Sequence, residues 1–180
     1  MDTVEVPPRP PTKVLVISAF RPLVVIGVLL VVYAVVPLRS GSTGLAVIAT
    51  ACVGLMVFGG VFVHQVRRIK RSATPTLAGV EALVLVYGTF LVQFAVLYVT
   101  VSANDPGAFD EVLNRVGGLY LSITVLSTVG FGDITPATDL ARILVSIQMI
   151  ADIVLIASAF RILSTTARKA VAEVPRDVAG

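Results

Sequence analysis

Long apolar stretches, separated by short polar segments, dominate the chain. A helix needs roughly 20 predominantly apolar residues to cross the hydrocarbon core of a bilayer, and each stretch approaches or exceeds that length. The first stretch begins at Pro22, and proline is tolerated in the first turn of a helix. The pattern predicts four membrane-spanning helices, at residues 22–38, 45–66, 77–101 and 140–163.

Between the third and fourth predicted spans, residues 111–127 form a helix-like run that is too polar to cross a bilayer alone. Backbone that enters the membrane without spanning it must be buried in protein or line a cavity. The run therefore predicts a short re-entrant helix, with Asp110 as its N-cap. Its polar and glycine positions are Asn114, Arg115, Gly117, Gly118, Ser122 and Thr124.

The segment that follows, residues 127–133, reads STVGFGD, so glycines alternate with bulky residues. An ordinary strand directs successive carbonyls to opposite sides, and a row of carbonyls on one side requires left-handed dihedrals at alternate residues. Glycine adopts these dihedrals at little cost, whereas a β-branched residue does not. We therefore expect Gly130 and Gly132 to let the backbone present a column of oxygens, which can replace the hydration shell of a monovalent cation.

TVGFGD, with a membrane helix on each side, resembles the signature of tetrameric potassium channels. Within that family the sequence resembles a single-pore-loop subunit of the bacterial ion-channel type, with two extra N-terminal transmembrane helices. The close match covers about residues 111–136, and a looser one covers about 77–163. The resemblance implies an all-α integral membrane protein with four transmembrane helices, a re-entrant pore helix and a selectivity filter, assembling as a C4 homotetramer. Because the sequence has one filter segment, a ring of carbonyls requires several copies.

The resemblance also implies where the transported ion binds. The backbone carbonyls of Thr128, Val129, Gly130 and Phe131 would coordinate K⁺, and the Thr128 hydroxyl would add the innermost ligands. Gly132 would supply backbone freedom. The pore helix would aim its partly negative C-terminal end at the axis below the filter. No cofactor other than K⁺ is expected.

Asp133 matches the Gly-Asp position of the resembled family, and we expect it to anchor the filter by hydrogen bonding, with Tyr120 as its partner. Ser127 and Thr124 complete the predicted supporting residues. Many members of the family carry a glutamate where this chain has Thr124 and a tyrosine where it has Phe131. These two departures change the support of the filter and leave its carbonyls intact.

Gln148 and Asp152 lie four residues apart on the fourth predicted span, so they share one helix face. An ionisable group inside a membrane is costly and marks a functional site by default. By the resemblance, Asp152 falls about where many relatives have a hinge glycine. Two interpretations stay open: Asp152 faces a cavity and attracts cations and polyvalent blockers, or it hydrogen-bonds a neighbouring helix, for example near Ser127 or Thr128, and is structural or protonated.

Composition agrees with an integral membrane protein, since 56% of the residues are hydrophobic, 14% are charged and the mean hydropathy is +0.95. The basic residues lie beside apolar runs, which is typical of topology signals rather than nucleic-acid binding. Arg67, Arg68, Lys70 and Arg71 predict a cytoplasmic loop near anionic lipid headgroups. With the basic residues at both ends of the chain, they predict a multi-pass protein of the cell membrane with cytoplasmic termini and an outward-facing filter.

These features divide the chain into four parts. They are a cytoplasmic Pro-rich tail with an interfacial segment (1–21), a peripheral transmembrane hairpin with a basic loop (22–75), a pore domain (76–165) and a cytoplasmic C-terminal tail (166–180). Neither early span has arginine at every third residue, so no voltage sensor is predicted.

Two packing contacts are also expected. The second predicted span carries Gly54, Gly59 and Gly60, which permit close approach of another helix on that face. Glu81 and Arg161 are placed to form an ion pair near the cytoplasmic surface, with little energetic weight.

The sequence contains no constellation of catalytic, metal-ligating or nucleotide-binding residues, so we do not expect an enzyme. The leading hypothesis is a passive potassium-selective channel. A weakly selective cation channel is the alternative within the same class, because a loosely held filter loses its preference for potassium. A non-conducting subunit or transporter component that keeps a filter-like loop is the alternative from another class.

Overall fold

The computed structural model describes residues 45–71 and 75–172, together with Val24, Gly27, Leu30, Val31 and Tyr33. In these parts of the chain the regular secondary structure is α-helical. The helices are α1 (Leu45–Arg71), α2 (Pro75–Asn104), α3 (Arg115–Leu126) and α4 (Asp139–Ala172).

Three of the helices are long and apolar enough to cross a membrane, at Val47–Ile69, Ala78–Asn104 and Asp139–Arg161. They confirm the second, third and fourth predicted spans, while α3, with 12 residues, is too short to cross. Of the first predicted span, 22–38, the five described residues are helical. The rest of that span and the predicted tail 1–21 lie outside the described residues.

Two helices continue beyond their predicted ends. α1 extends through Arg67, Arg68 and Arg71, so the predicted basic loop is the last part of a helix. α4 reaches Ala172 and includes the beginning of the predicted C-terminal tail. Hydropathy marks where the apolar layer ends, whereas arginine, lysine and alanine are good helix formers that let the helix continue into water.

α2 is the most buried spanning helix, with 56% of its most apolar window inside the structure, against 6% for α1 and 22% for α4. A row of aromatic rings runs along it and links it to its neighbours. The ring centroids are 5.9 Å apart for Phe58–Phe90, 4.8 Å for Phe90–Phe94, 6.0 Å for Phe94–Tyr98 and 5.8 Å for Tyr98–Phe109. Tilted and edge-to-face rings at these distances attract beyond their burial alone, so α2 is a firm support for the elements around it.

α1 approaches α2 closely at Gly54, where a Cβ atom would overlap the side chain of Gln93. The amide nitrogen of Gln93 also donates to the carbonyl of Thr50 at 3.4 Å. The close contact expected at Gly54 is therefore confirmed. At Gly59 and Gly60 no atom of the described residues comes within 4 Å of a Cβ position, so the expectation is wrong within this chain.

α3 is held against α2 at Gly118. A Cβ atom there would lie 2.5 Å from Cγ2 of Val99 and 2.9 Å from the backbone oxygen of Ala95. Neither neighbour moves easily, because valine is stiff at χ1 and the other atom is backbone. Gly118 therefore sets how closely the re-entrant helix approaches the central span.

We expect Gly118→Ala to lower the free energy of unfolding by about 1–3 kcal/mol, the usual cost of overpacking. Gly54→Ala is the matched control, because there the overlapping atoms are the flexible end of Gln93, which can move aside. Unfolding in mixed detergent micelles, followed by circular dichroism, measures both. Equal losses in the two variants would contradict the distinction between rigid and flexible neighbours.

Glu81, buried near the start of α2, forms a salt bridge with Arg68 of α1, whereas the sequence predicts Arg161 as its partner. The distance from Nη2 of Arg68 to Oε2 of Glu81 is 2.5 Å, although the pair lacks hydrogen-bond geometry. Only residues 72–74 separate α1 from α2, so the end of α1 lies beside the start of α2. The neighbouring helix in sequence therefore supplies the cation.

Candidate functional site

The re-entrant helix α3 begins at Arg115, later than the predicted start at residue 111. Its N-cap is Asn114, which has an extended backbone (φ −82°, ψ 179°) and accepts a hydrogen bond from the amide of Gly117 at 2.8 Å. The prediction of Asp110 as N-cap is wrong, because its carboxylate binds Thr135 instead. Both residue types cap helices well, and a tertiary contact decides between them.

Asp110 joins the segments before and after the functional loop. Its Oδ1 accepts from the amide of Thr135 at 2.9 Å, and its Oδ2 accepts from the Thr135 hydroxyl at 3.0 Å. The amide of Asp110 donates to the Thr135 carbonyl at 3.1 Å. Further backbone contacts are the bridge Phe109–Pro136 and the bond from the Ala137 amide to the Ala108 carbonyl at 2.8 Å. The two ends of the segment that contains α3 and the loop are thereby fixed to each other.

This contact should weaken in acid. The hydrogen bond from the Thr135 amide lowers the pKa of Asp110 below its ordinary value of 3.8. The bond therefore contributes its full stability above that ordinary value, and loses it as the pH falls through the lower pKa of the folded state. Hydrogen exchange in a peptide covering 133–138, corrected for the intrinsic rate, should rise in this acidic range.

Asp110→Asn is the comparison for that measurement. It removes the charge, so exchange in residues 133–138 should already be faster at neutral pH and should respond little to acid. Identical protection of the wild type and the variant at neutral and acidic pH would show that the carboxylate does not hold Thr135.

The loop after α3 alternates in backbone handedness. Thr128, Gly130 and Gly132 have φ of 57°, 52° and 74°, whereas Val129 and Phe131 between them do not have positive φ. The left-handed dihedrals expected at the two glycines are confirmed. The expectation that a β-branched residue avoids such dihedrals is wrong at Thr128, where the strain is of order 1–3 kcal/mol and must be imposed by the surroundings.

The C-terminal end of α3 supplies the hydrogen bonds that impose this backbone. The amide of Thr128 donates to Val125 O at 2.9 Å, and those of Val129 and Gly130 donate to Thr124 O at 3.1 and 3.3 Å. The last carbonyls of a helix have no partner within the helix, and here the amides of the loop fill that need. The chain therefore folds back onto the helix end, and Thr128 takes the left-handed turn.

The loop lies at the surface of the single chain. Residues 127–133 are all exposed, and Val129 and Phe131 retain 54% and 70% of their accessible surface. Alternating handedness is the geometry that turns successive carbonyls towards one side. A loop with this alternating backbone and an uncovered surface is suited to a ligand or to further copies of the chain.

Asp133 is bound from behind, as predicted. The hydroxyl of Tyr120 donates to Oδ2 of Asp133 at 2.6 Å, and the amide of Ile134 donates to Oδ1 at 3.2 Å. The ring of Phe131 stacks on that of Tyr120, with centroids 6.5 Å apart and an interplanar angle of 6°. Tyr120 therefore contacts the loop at two points, one polar and one aromatic.

Thr124 supports the loop through its backbone and not through its side chain. Its hydroxyl is buried and donates to Leu121 O at 3.0 Å, within α3. Its carbonyl accepts from the Ser127 hydroxyl at 3.2 Å, in addition to the two loop amides. A carboxylate at this position is therefore not needed to attach the loop to the helix.

Gln148 of α4 is fully buried and is bound at both ends of its amide. Its oxygen accepts from the Tyr98 hydroxyl at 2.5 Å, and its nitrogen donates to Ser122 O at 2.9 Å. The Ser122 hydroxyl in turn donates to Leu91 O at 3.0 Å. Gln148 therefore joins α4 to α2 and to α3.

Asp152, one helical turn further along α4, has a different environment. It lines a cavity of about 300 Å³ together with Thr128, Gly130 and the end of α3, and Gln148 is not among the lining residues. Only 2% of its surface is exposed, and neither carboxylate oxygen has a hydrogen-bond partner within the described residues. The hydrogen bond suggested with Ser127 or Thr128 is therefore absent among the described residues, and both roles considered for Asp152 stay predictions. A buried carboxylate without a partner is costly unless a cation or water compensates it or it takes up a proton.

The N-terminal part of the chain reaches the site through Tyr33. Its hydroxyl donates to Arg115 O at 2.7 Å, and Nη1 of Arg115 donates to Tyr33 O. The guanidinium carbon of Arg115 also lies 5.7 Å from the centroid of the Tyr33 ring. The start of α3 is therefore attached to the predicted first span.

Two of these contact residues, Tyr33 and Tyr98, are not singled out by the sequence, and Ser122 is noted there only as a polar position of the re-entrant helix. Tyr98 follows Phe90 and Phe94 at helical spacing, so the pattern indicates ordinary core. A usable signal was its depth, because a hydroxyl inside a membrane needs a partner. Gln148 carries an amide at a similar depth on another span, so the two side chains could have been predicted to form a hydrogen bond with each other.

Residues 81–169 match a family model described as "Ion channel". The match covers slightly less than half of the chain and contains most of α2, all of α3, the loop and most of α4. Together with the three apolar helices, it supports an all-α integral membrane protein of an ion-channel family. No curated protein and no solved structure matches the chain.

Proposed function

We propose that the protein is a potassium-selective channel that conducts K⁺ passively through residues 128–132. The observation that carries the proposal is the positive φ at Thr128, Gly130 and Gly132, which is the backbone geometry required for a column of carbonyl ligands. The resemblance of the Thr-Val-Gly-Phe-Gly segment to potassium-channel filters supports K⁺ as the ion.

The working unit is a C4 homotetramer. Each chain carries one such loop, and a single row of carbonyls surrounds no ion, so several copies must close the ring. The exposed side of the loop would face the common axis. The exposed apolar side chains of α4 would be covered by neighbouring copies or lipid, among them Ile143, Ile147, Ile150 and Val154.

Below the filter, Asp152 would place one carboxylate per copy beside the ion path. Its lack of a hydrogen-bond partner among the described residues and its position in a cavity with Thr128 support this role. The C-terminal end of α3, which also lines this cavity, would add the partly negative end of its dipole. Four copies of both features would favour cations in the cavity.

The positive charges at the end of α1 would lie at the cytoplasmic surface of the cell membrane. Arg67 and Arg71 are exposed there, and cationic side chains at that depth attract anionic lipid headgroups. With both termini on the same side, the filter faces outwards.

A flux assay on purified protein in liposomes tests the proposal. We expect K⁺ flux to exceed Na⁺ flux by at least about tenfold and to be blocked by barium. The purified particles should contain four chains of 18.9 kDa. Equal fluxes of K⁺ and Na⁺ would instead indicate a weakly selective cation channel. Folded tetramers without flux would indicate a non-conducting subunit or transporter component.

A further inference from the structure

Three helices meet at one buried hydrogen-bonded group, which we call the Gln148 bridge: Tyr98 of α2, Gln148 of α4 and Ser122 of α3. The Tyr98 hydroxyl donates to Gln148 Oε1 at 2.5 Å, and Gln148 Nε2 donates to Ser122 O at 2.9 Å. None of the three side chains has accessible surface. The bridge is thus sealed from water and lipid in the single chain.

Burial makes the bridge hard to open. A buried amide that loses a partner keeps its desolvation cost, because neither water nor another polar group replaces the lost hydrogen bond. The surroundings of Tyr98 are mostly apolar, with Phe94 and Phe109 against its ring. Separation of α4 from α3 would therefore break the hydrogen bond from Gln148 to Ser122 inside a largely apolar region.

The bridge is close to the filter along the chain. Ser122 is two residues before Thr124, whose carbonyl accepts the amides of Val129 and Gly130. Because α3 is a continuous helix over this stretch, Ser122 O and Thr124 O keep a fixed relation. A shift of Ser122 caused by Gln148 would reach the filter through these bonds.

α4 is suited to transmit such a shift. Between Asp139 and Ala172 it contains neither glycine nor proline, so it lacks the residues at which helices usually bend. Asp152, one turn beyond Gln148, lines the cavity under Thr128. Movement at the cytoplasmic end of α4 would therefore move Gln148 as part of a rigid rod.

We propose that Gln148 and Tyr98 are positioning residues for the filter, coupling the position of α4 to the geometry of residues 128–132 through Ser122. This inference rests on the proposed channel function. It assigns control of conduction to the side of the filter that α3 supports, and it gives Gln148 a role separate from the one proposed for Asp152.

The test compares Tyr98→Phe, Gln148→Leu and the double variant with the wild type, as full-length protein in planar bilayers. Tyr98→Phe removes one hydroxyl and keeps the ring in its aromatic row. Tyr87→Phe is the matched control, since it is the same change on the same helix outside the bridge. The measurements are the K⁺/Na⁺ permeability ratio, its dependence on external K⁺, and the fraction of assembled protein.

We expect each bridge variant to lower the permeability ratio by at least about threefold, with the double variant no worse than the larger single effect. High external K⁺ should restore much of the ratio by occupying the filter, while the assembled fraction stays unchanged. A merely structural role would lower assembly and would not respond to K⁺. If Gln148→Leu does not fold, the permeability ratio of Tyr98→Phe compared with that of Tyr87→Phe still tests the proposal.

The outcomes separate this inference from the proposed function. A selective wild type with unchanged permeability ratios in both bridge variants would overturn the inference alone. Additive losses, or losses that K⁺ does not relieve, would also overturn it. A wild type without potassium selectivity would overturn the proposed function, and the inference with it.

Discussion

Replacing Gly130 with alanine is expected to reduce potassium conduction by at least about tenfold. Gly130 has φ of 52°, and no atom of the described residues lies within 4 Å of a Cβ position, so within one chain the effect comes from the backbone and not from a clash. A left-handed conformation costs an L-residue about 1–2 kcal/mol, in each of four copies. The chain already sustains such a conformation at Thr128, two residues earlier. A second strained residue should therefore release the carbonyl row from its regular alternation.

Gly107→Ala is the matched control for this variant. Gly107 is also an exposed loop glycine, but its φ is not positive and its nearest contact to a Cβ would be an ordinary 3.5 Å. Single-channel recording of both variants, with assembly checked by size, separates loss of conduction from loss of protein. Normal selective currents in Gly130→Ala would contradict the role assigned to the alternating backbone.

Asp152→Asn is expected to weaken block by internal polycations, such as spermine, by at least about tenfold. The variant keeps the shape of the side chain and removes one negative charge from each copy. At an effective dielectric of about 20, two unit charges 4 Å apart interact by about 4 kcal/mol, so losing even part of four such interactions gives this magnitude. Inward rectification should fall with the block.

The control for this experiment is Asp139→Asn, the same chemical change at the first residue of α4, which is not among the residues that line the cavity. Block should be unaffected there. Dose–response curves for spermine applied from the cytoplasmic side measure both variants. Unchanged currents with unchanged block in Asp152→Asn would show that this carboxylate does not face the ion path.

The spanning helices were predictable because hydropathy alone marks the part of a helix that lies in the bilayer. α2 begins and ends within three residues of the predicted range 77–101. The prediction failed where helices leave the bilayer, as at Arg71, since the apolar pattern stops there while helix propensity persists. The predicted start of α3 was wrong for another reason. Asp110 and Asn114 are both suitable N-cap residues, but the carboxylate of Asp110 accepts hydrogen bonds from Thr135, which is distant in sequence.

Two features of the candidate site could be predicted: the left-handed dihedrals of Gly130 and Gly132, and the contact between Tyr120 and Asp133. The positive φ of Thr128 could not be predicted, because local sterics disfavour it and hydrogen bonds to the end of α3 impose it. Helical periodicity placed Gln148 and Asp152 on one face. It did not show that the face is divided, with Gln148 against two neighbouring helices and Asp152 in a cavity.

The contact of Tyr33 with Arg115 extends the expectation that the early spans pack around the pore unit. It attaches the N-terminal part of the chain to the start of α3, while the Gln148 bridge holds the middle of the same helix. The short re-entrant helix is thus fixed along its length by three spans.

The central claim is that the loop selects potassium, and a bi-ionic reversal potential tests it most directly. With K⁺ on the cytoplasmic side and an equal concentration of Na⁺ outside, we expect a reversal potential more negative than about −59 mV, which corresponds to a tenfold preference for K⁺. A reversal potential near zero, with current carried by both ions, would contradict the claim.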